Sequence, residues 1–200
     1  AGNAVITLGD GQTITLSGVD AGSLTAADFI FNQTPVTDNA GSMAINDGAM
    51  LPLSGLVNNT GTIALNATGE ETDLELIQQG ITLQGGGQLT FSDSSANVIL
   101  GTDPSVTLTN MDNTISGAGQ LGDGQMTLVN EGTIDATGTN ALVIDTGSNA
   151  ITNAGTMEAT GAGGLIINSA VDNFGSLWAN GGNLTVNGGV SGDGSATISG

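Results

Sequence analysis

The chain has 200 residues, a formal charge of −19 from 19 Asp and Glu, no Lys, Arg, His, Cys or Tyr, 38% hydrophobic residues and only 10% charged ones. Without cations it cannot neutralise phosphates, which excludes nucleic acid and disfavours anionic membrane surfaces. Without imidazole, thiol, amine or phenol it also lacks the groups that build nucleophilic triads, zinc sites and Schiff bases, so it is read as a non-enzyme.

The hydrophobic fraction is too high for a disordered polyanion. The charged fraction lies far below the roughly 25% of ordinary globular domains. Gly, Asn, Thr and Ser supply the polarity instead, which is a vocabulary of turns and strands. No apolar run reaches the roughly 18 residues of a membrane-spanning helix, so no membrane insertion is expected. The opening Ala1-Gly2-Asn3-Ala4 is no signal peptide, and the chain reads as a mature protein or a piece of one.

In chain order, residues 1–52 form a first segment. Val5-Ile6-Thr7-Leu8 and Thr13-Ile14-Thr15-Leu16 flank Gly9-Asp10-Gly11-Gln12 in the pattern of a β-hairpin, and Leu24 to Phe31 follows, with Pro35 and Pro52 as loop punctuation. This segment is expected to be a cap, an inserted β-module or a joining segment. From residue 53 to 106, short alternating strands recur without helical periodicity: Leu74-Glu75-Leu76, Ile81-Thr82-Leu83, Leu89-Thr90-Phe91, Val98-Ile99-Leu100 and Val106-Thr107-Leu108.

Further on, one phrase repeats: Asn, any residue, Gly, Thr or Ser, then an apolar residue. Its copies begin at Asn59, Asn130, Asn153 and Asn173, and the last three stand 23 and 20 residues apart. That is the period of one solenoid coil. Two more strands fill each period, so that Leu142, Leu165 and Leu184 fall on one inward row and Ile144, Ile167 and Val186 on another. The expected fold is therefore all-β: a parallel β-helix (β-solenoid) of roughly 20–23 residues and three short strands per coil over 53–200, preceded by the N-terminal β segment. Strands this short bury little alone, but coils stacked about 4.8 Å apart share a continuous apolar column. Asn at the corners can bond up and down the stack and tolerates left-handed backbone, as Gly does. Asn59, Asn130, Asn153 and Asn173 are thus expected to form a structural ladder.

The chemistry left to the chain is that of carboxylates. Asp135 and Glu158 occupy equivalent outward positions one coil apart, either as a tolerated exposed pair or as half of a weak divalent-cation site, with calcium the cation in view. The cluster Glu70-Glu71-Thr72-Asp73-Leu74-Glu75 reads as a solvated turn and strand face. Val143 and Ile166 stack as outward apolar residues, and Trp178 replaces the outward acids on another face. These three mark either contact with another chain or a surface covered by residues 1–52. The final strand, Ser195 to Ser199, carries no charge or proline to blunt its edge.

Asn113-Thr114-Ile115-Ser116-Gly117-Ala118-Gly119, Asn130-Glu131-Gly132-Thr133-Ile134-Asp135-Ala136 and Asn183-Leu184-Thr185-Val186-Asn187-Gly188 resemble the β-strand repeats of large bacterial surface proteins, the haemagglutinin-like and autotransporter-like adhesins. The resemblance implies an exported parallel β-helix displayed at the bacterial cell surface. Leu24 to Phe31 resembles modules of calcium-binding exported repeat proteins, although the Gly-Gly-x-Gly-x-Asp nonapeptide is missing. The expected function is an extracellular structural or adhesive protein that self-associates end to end into a fibre, sheath or stalk. A module binding carbohydrate or a host surface is the alternative, and a polysaccharide-cleaving β-helix comes third.

Overall fold

A computed structural model describes residues 2–7, 11, 13–25, 28 and 34–199. The chain divides into two compact units, Ala1–Gln33 and Thr34–Gly200. In the first, Ala4–Thr7 pairs antiparallel with Thr13–Leu16, Val5 opposite Thr15 and Ile6 opposite Ile14. Leu8, Gly9, Asp10 and Gln12 of the expected hairpin lie outside the described residues, as do Ala26, Ala27 and 29–31 of the Leu24–Phe31 stretch. Asp20 accepts a hydrogen bond from the Gly22 amide and so caps a single 3₁₀ turn, Ala21–Ser23.

The second unit is a parallel β-solenoid of about 7 turns with about 22 residues per coil. Each coil contributes a strand to each of three faces. On the first face the register runs Val36, Leu56, Thr82, Thr109, Val129, Thr152, Asp172, Ser191. On the second it runs Ser42, Thr62, Gln88, Thr114, Thr133, Thr156, Ser176, Ser195. The third runs Leu51, Leu74, Ile99, Leu121, Ile144, Ile167, Val186.

Period-two alternation sends every second side chain of these strands inward. Ile63, Leu89, Ile115, Ile134 and Met157 form one fully buried row, and Ile81, Leu108, Leu128, Ile151 and Val171 another. The third-face row Leu74, Ile99, Leu121, Ile144 and Ile167 completes the column. Each such side chain contributes about 1.5–3 kcal/mol relative to exposure, so apolar burial along the axis is the main force holding the coils together. The expected rows Leu142–Leu165–Leu184 and Ile144–Ile167–Val186 are in register, fully buried in the first two coils and half-buried at Leu184 and Val186.

Two expectations need correction. The stack begins at Val36, not at residue 53: Val36–Asn39 and Ser42–Asn46 already pair in parallel with the next coil. Pro52 does not break it: it pairs in register with Glu75 in a parallel ladder whose bonds, starting from Asp73 N–H to the Ala49 carbonyl, alternate so that position 52 donates none to that neighbour. Nor do the repeat glycines and asparagines serve left-handed corners. The only non-Gly residues with positive φ among the described ones are Gln78 and Asp123. Gly61, Gly155 and Gly175 sit directly against the backbone carbonyl of the equivalent glycine one coil before, Gly41, Gly132 and Gly155, where a Cβ has no space. Close coil-to-coil approach, rather than φ, fixes glycine there.

Candidate functional site

The most ordered polar feature is internal. Asn39 Nδ2 donates to Asn59 Oδ1 at 2.7 Å, and Asn59 Nδ2 to Asn113 Oδ1 at 2.8 Å. Asn113 and Asn110 then bond to each other, the Asn113 amide N–H to Asn110 Oδ1 at 3.1 Å and Asn110 Nδ2 to the Asn113 carbonyl at 3.0 Å. Asn110 Nδ2 continues to Asn130 Oδ1 at 2.9 Å, Asn130 to Asn153 at 2.9 Å, and Asn153 to Asn173 at 2.8 Å. Asn173 Nδ2 ends the run on the Ser195 carbonyl at 3.1 Å.

All these asparagines are buried, and every inter-coil amide donates in the same direction along the axis. Where the ladder skips a coil, between Asn59 and Asn113, the chain carries Gly85-Gly86-Gly87, and a Cβ on Gly87 would stand 2.8 Å from Asn59 Nδ2. The expected members Asn59, Asn130, Asn153 and Asn173 are all in it. Asn39, Asn110 and Asn113 were missed, although Asn39-Ala40-Gly41-Ser42-Met43 carries the same phrase. Asn97 was missed too; it buries its amide at another corner and donates to the carbonyls of Ser92, Ser94 and Ala118 at 2.9–3.1 Å.

On the outside, Asp135 and Glu158 are register neighbours on the second face, and Trp178 follows Glu158. Each carboxylate has a neutral donor from the coil beyond: Thr160 Oγ1 to Asp135 Oδ1 at 2.8 Å, and Asn180 Nδ2 to Glu158 Oε2 at 3.4 Å. No group of three or more metal-ligating side chains occurs among the described residues. Trp178 is half-buried, with its indole N–H on Ser199 Oγ at 2.8 Å. Val143 and Ile166 are in register on the third face, half-buried rather than fully exposed.

Other acids stand in built surroundings. Asp47 Oδ1 accepts from the backbone amides of Thr68, Gly69 and Glu70 at 2.7–3.1 Å, and Oδ2 from the Thr68 hydroxyl at 2.8 Å. These bonds, the Thr68 amide foremost, lower its pKa from 3.8 to about 2. Asp93, on the bulge of the long strand Gln88–Gly101, reaches two coils along the axis to the Thr139 hydroxyl and to the Asn140 amide N–H at 2.8 Å. The Thr139 bond is the leading cause of its lowered pKa. Asp73 is the contrary case: only 8% exposed, its Oδ1 lacks a hydrogen-bond partner among the described residues. Burial first, then the charges of Glu71 and Glu75, raise its pKa. The acidic cluster expected to be solvated therefore holds one desolvated member.

A groove of about 430 Å³ lies on the first face, lined by Val36, Leu56, Thr82 and Thr109 among others. It brings together no acid, and none of the residues proposed from sequence as site residues line it. Comparison with protein-family models, with curated proteins and with solved structures returns no match to this chain.

Proposed function

We propose that this chain is a non-catalytic structural or adhesive segment of an extracellular bacterial surface protein, a rod that supplies reach and stiffness and extends end to end by stacking coil on coil. The observation that carries the reading is the buried amide ladder. A hydrogen-bonded polar element that runs from Asn39 to Asn173 through the core, skipping one coil between Asn59 and Asn113, serves axial cohesion and presents nothing to a ligand. The strand-repeat resemblance to bacterial adhesins supports the surface location. End-to-end extension is supported by the stacking itself, since each coil meets the next through the same inward rows and the same parallel ladders.

Electron microscopy of the purified protein with sedimentation velocity tests the reading. Rods that lengthen with concentration, and that stop lengthening in Ile198→Asp, are the expected result. A monomer at all concentrations, unaffected by that substitution, refutes end-to-end extension.

A second reading, binding of carbohydrate or a host surface, is favoured by one feature. The Trp178 ring is pinned by Ser199 and flanked in the register by Glu158 and Thr197, which is an aromatic platform edged with polar groups. Glycan binding that disappears in Trp178→Ala while rods persist would establish it; a glycan array without a binder would end it.

A further inference from the structure

The chain contains two Asn-Gly steps, Asn180-Gly181 and Asn187-Gly188. In this step the backbone nitrogen of glycine, unhindered by a Cβ, can attack the side-chain carbonyl carbon of the preceding asparagine. As sequence the two are equivalent; in the fold they are not.

At the first step the Gly181 amide N–H donates to the Ser199 carbonyl at 2.9 Å. The Asn180 side chain is half-buried, its Nδ2 on Glu158 Oε2 at 3.4 Å and its Oδ1 accepting from Ser199 Oγ at 3.5 Å. Nucleophile and electrophile are both held. At the second step Asn187 is exposed, its one side-chain bond running from Nδ2 to Asn168 Oδ1 at 2.9 Å. Among the described residues the Gly188 N–H has no hydrogen-bond partner. Glycine is obligatory at 188 for packing, since a Cβ there would collide with the Ser169 carbonyl and stand 2.5 Å from the Ala170 nitrogen.

We propose that Asn187 is a site of spontaneous covalent modification, converting to aspartate and isoaspartate, and that Asn180 is protected from the same reaction. The Gly188 nitrogen loses its proton to hydroxide or water and bonds to Asn187 Cγ. The Cγ–Nδ2 bond then breaks, and ammonia leaves with the proton it regains, giving a cyclic succinimide. Water opens the ring at either carbonyl, so the net change is asparagine plus water to acid plus ammonia.

The product alters the coil that bears it. Asn187 is the head of an exterior amide chain in which Asn168 Nδ2 donates on to Asp145 Oδ2 at 3.4 Å. A carboxylate at 187 faces Asn168 Oδ1 with no proton to donate. If the Asn168 amide turns to satisfy it, Asp145 loses its donor, and one hydrogen bond is lost either way. Isoaspartate also lengthens the backbone by one carbon directly after Leu184–Val186, at the residue whose amide bonds the Ile167 carbonyl at 2.8 Å.

The test is incubation of the whole protein in mildly alkaline buffer, folded and in urea, with peptide mapping by an Asp-directed protease and isoaspartyl methylation. In the folded protein Asn187 converts several-fold faster than Asn180, and in urea the two rates converge. Equal rates in the folded protein, faster loss at Asn180, or no conversion at either step overturns the proposal. Hydrogen exchange on Asn187→Asp reads the consequence: protection of Leu184–Val186 falls, and unchanged protection refutes the loosening.

Discussion

Asn130 lies at the middle of the amide ladder, fully buried, accepting from Asn110 Nδ2 at 2.9 Å and donating to Asn153 Oδ1 at 2.9 Å and to the Thr156 carbonyl at 3.2 Å. Asn130→Ala leaves Asn153 Oδ1 without a side-chain donor and removes one of the two acceptors of Asn110 Nδ2. At about 1–3 kcal/mol for a buried group left unsatisfied, the site loses roughly 2–4 kcal/mol. Asn130→Asp conserves shape but sets a carboxylate against the Asn153 oxygen; its cost exceeds that of alanine and grows as pH rises and the buried acid is forced to ionise. The control is Asn58, half-buried in an exterior chain in which Gln84 Nε2 donates to it and it donates to Asp38, both at 2.8 Å. Water can replace those partners, so Asn58→Ala stays within about 0.5 kcal/mol. Urea titration followed by circular dichroism and by the single tryptophan measures the difference, and hydrogen exchange over 153–156 locates it, since stacked repeats can open in part. Asn130→Ala within about 0.5 kcal/mol of wild type, or no worse than Asn58→Ala, would show that the ladder is not cohesive.

Asp73→Asn removes a desolvated carboxylate whose Oδ1 lacks a hydrogen-bond partner among the described residues and whose pKa is raised, so the folded state holds its proton to higher pH than the unfolded chain. The charge then costs stability above the ordinary carboxylate range, and the variant melts higher than wild type at neutral pH, by about 1–2 kcal/mol, with no gain in acid. Melting curves that differ equally at both pH values refute this. Asp47 has the opposite sign: lowered from 3.8 to about 2, it contributes stability that is fully present above the ordinary value and is lost as pH falls through about 2. Asp47→Ala therefore flattens acid unfolding in that window, and parallel pH profiles would count against the cradle of amides at 68–70. Glu158→Gln relieves the like-charge stacking on Asp135 and stabilises by about 0.2–1 kcal/mol at low ionic strength. The gain shrinks with salt, and calorimetry at two salt concentrations detects it.

The regular half of the solenoid was legible in the sequence because its corners are uniform: from Val129 to Thr133, Thr152 to Thr156, Asp172 to Ser176 and Ser191 to Ser195 each turn takes the same number of residues. Rows and ladder members then follow from position alone. The early coils obscured their period. First-face steps of 26 and 27 residues, from Leu56 to Thr82 and from Thr82 to Thr109, absorb the extra turn around Gln78 and the bulge around Asp93. The ladder asparagine is replaced by Gly85 in one such coil and doubled as Asn110 and Asn113 in the next. Asn39 carries the repeat phrase but falls in residues 1–52, which Pro35 and Pro52, read as loop punctuation, set apart from the solenoid. The burial of Asp73 was not legible at all. Alternation marks it as outward, and only the three-dimensional surroundings of the third face exclude water from it.

The composition poses a question that the fold answers. A chain with −19 charges and no basic side chain has no Lys, Arg or His with which to form an ion pair, yet it stacks its coils at sheet spacing. Six of its acids are instead met by neutral donors set one or two coils away: Asp38 by Asn58, Asp47 by Thr68, Asp93 by Thr139 and Asn140, Asp135 by Thr160, Asp145 by Asn168, Asp172 by Ser191. A solenoid makes this possible because each surface position has a counterpart at fixed spacing above it, so an Asn, Thr or Ser in the next coil is automatically within reach. These contacts bind coil to coil without cations, while the net charge repels other molecules. Arg and Lys are thereby dispensable for cohesion, and trypsin, which cleaves only after those residues, finds no site in the chain.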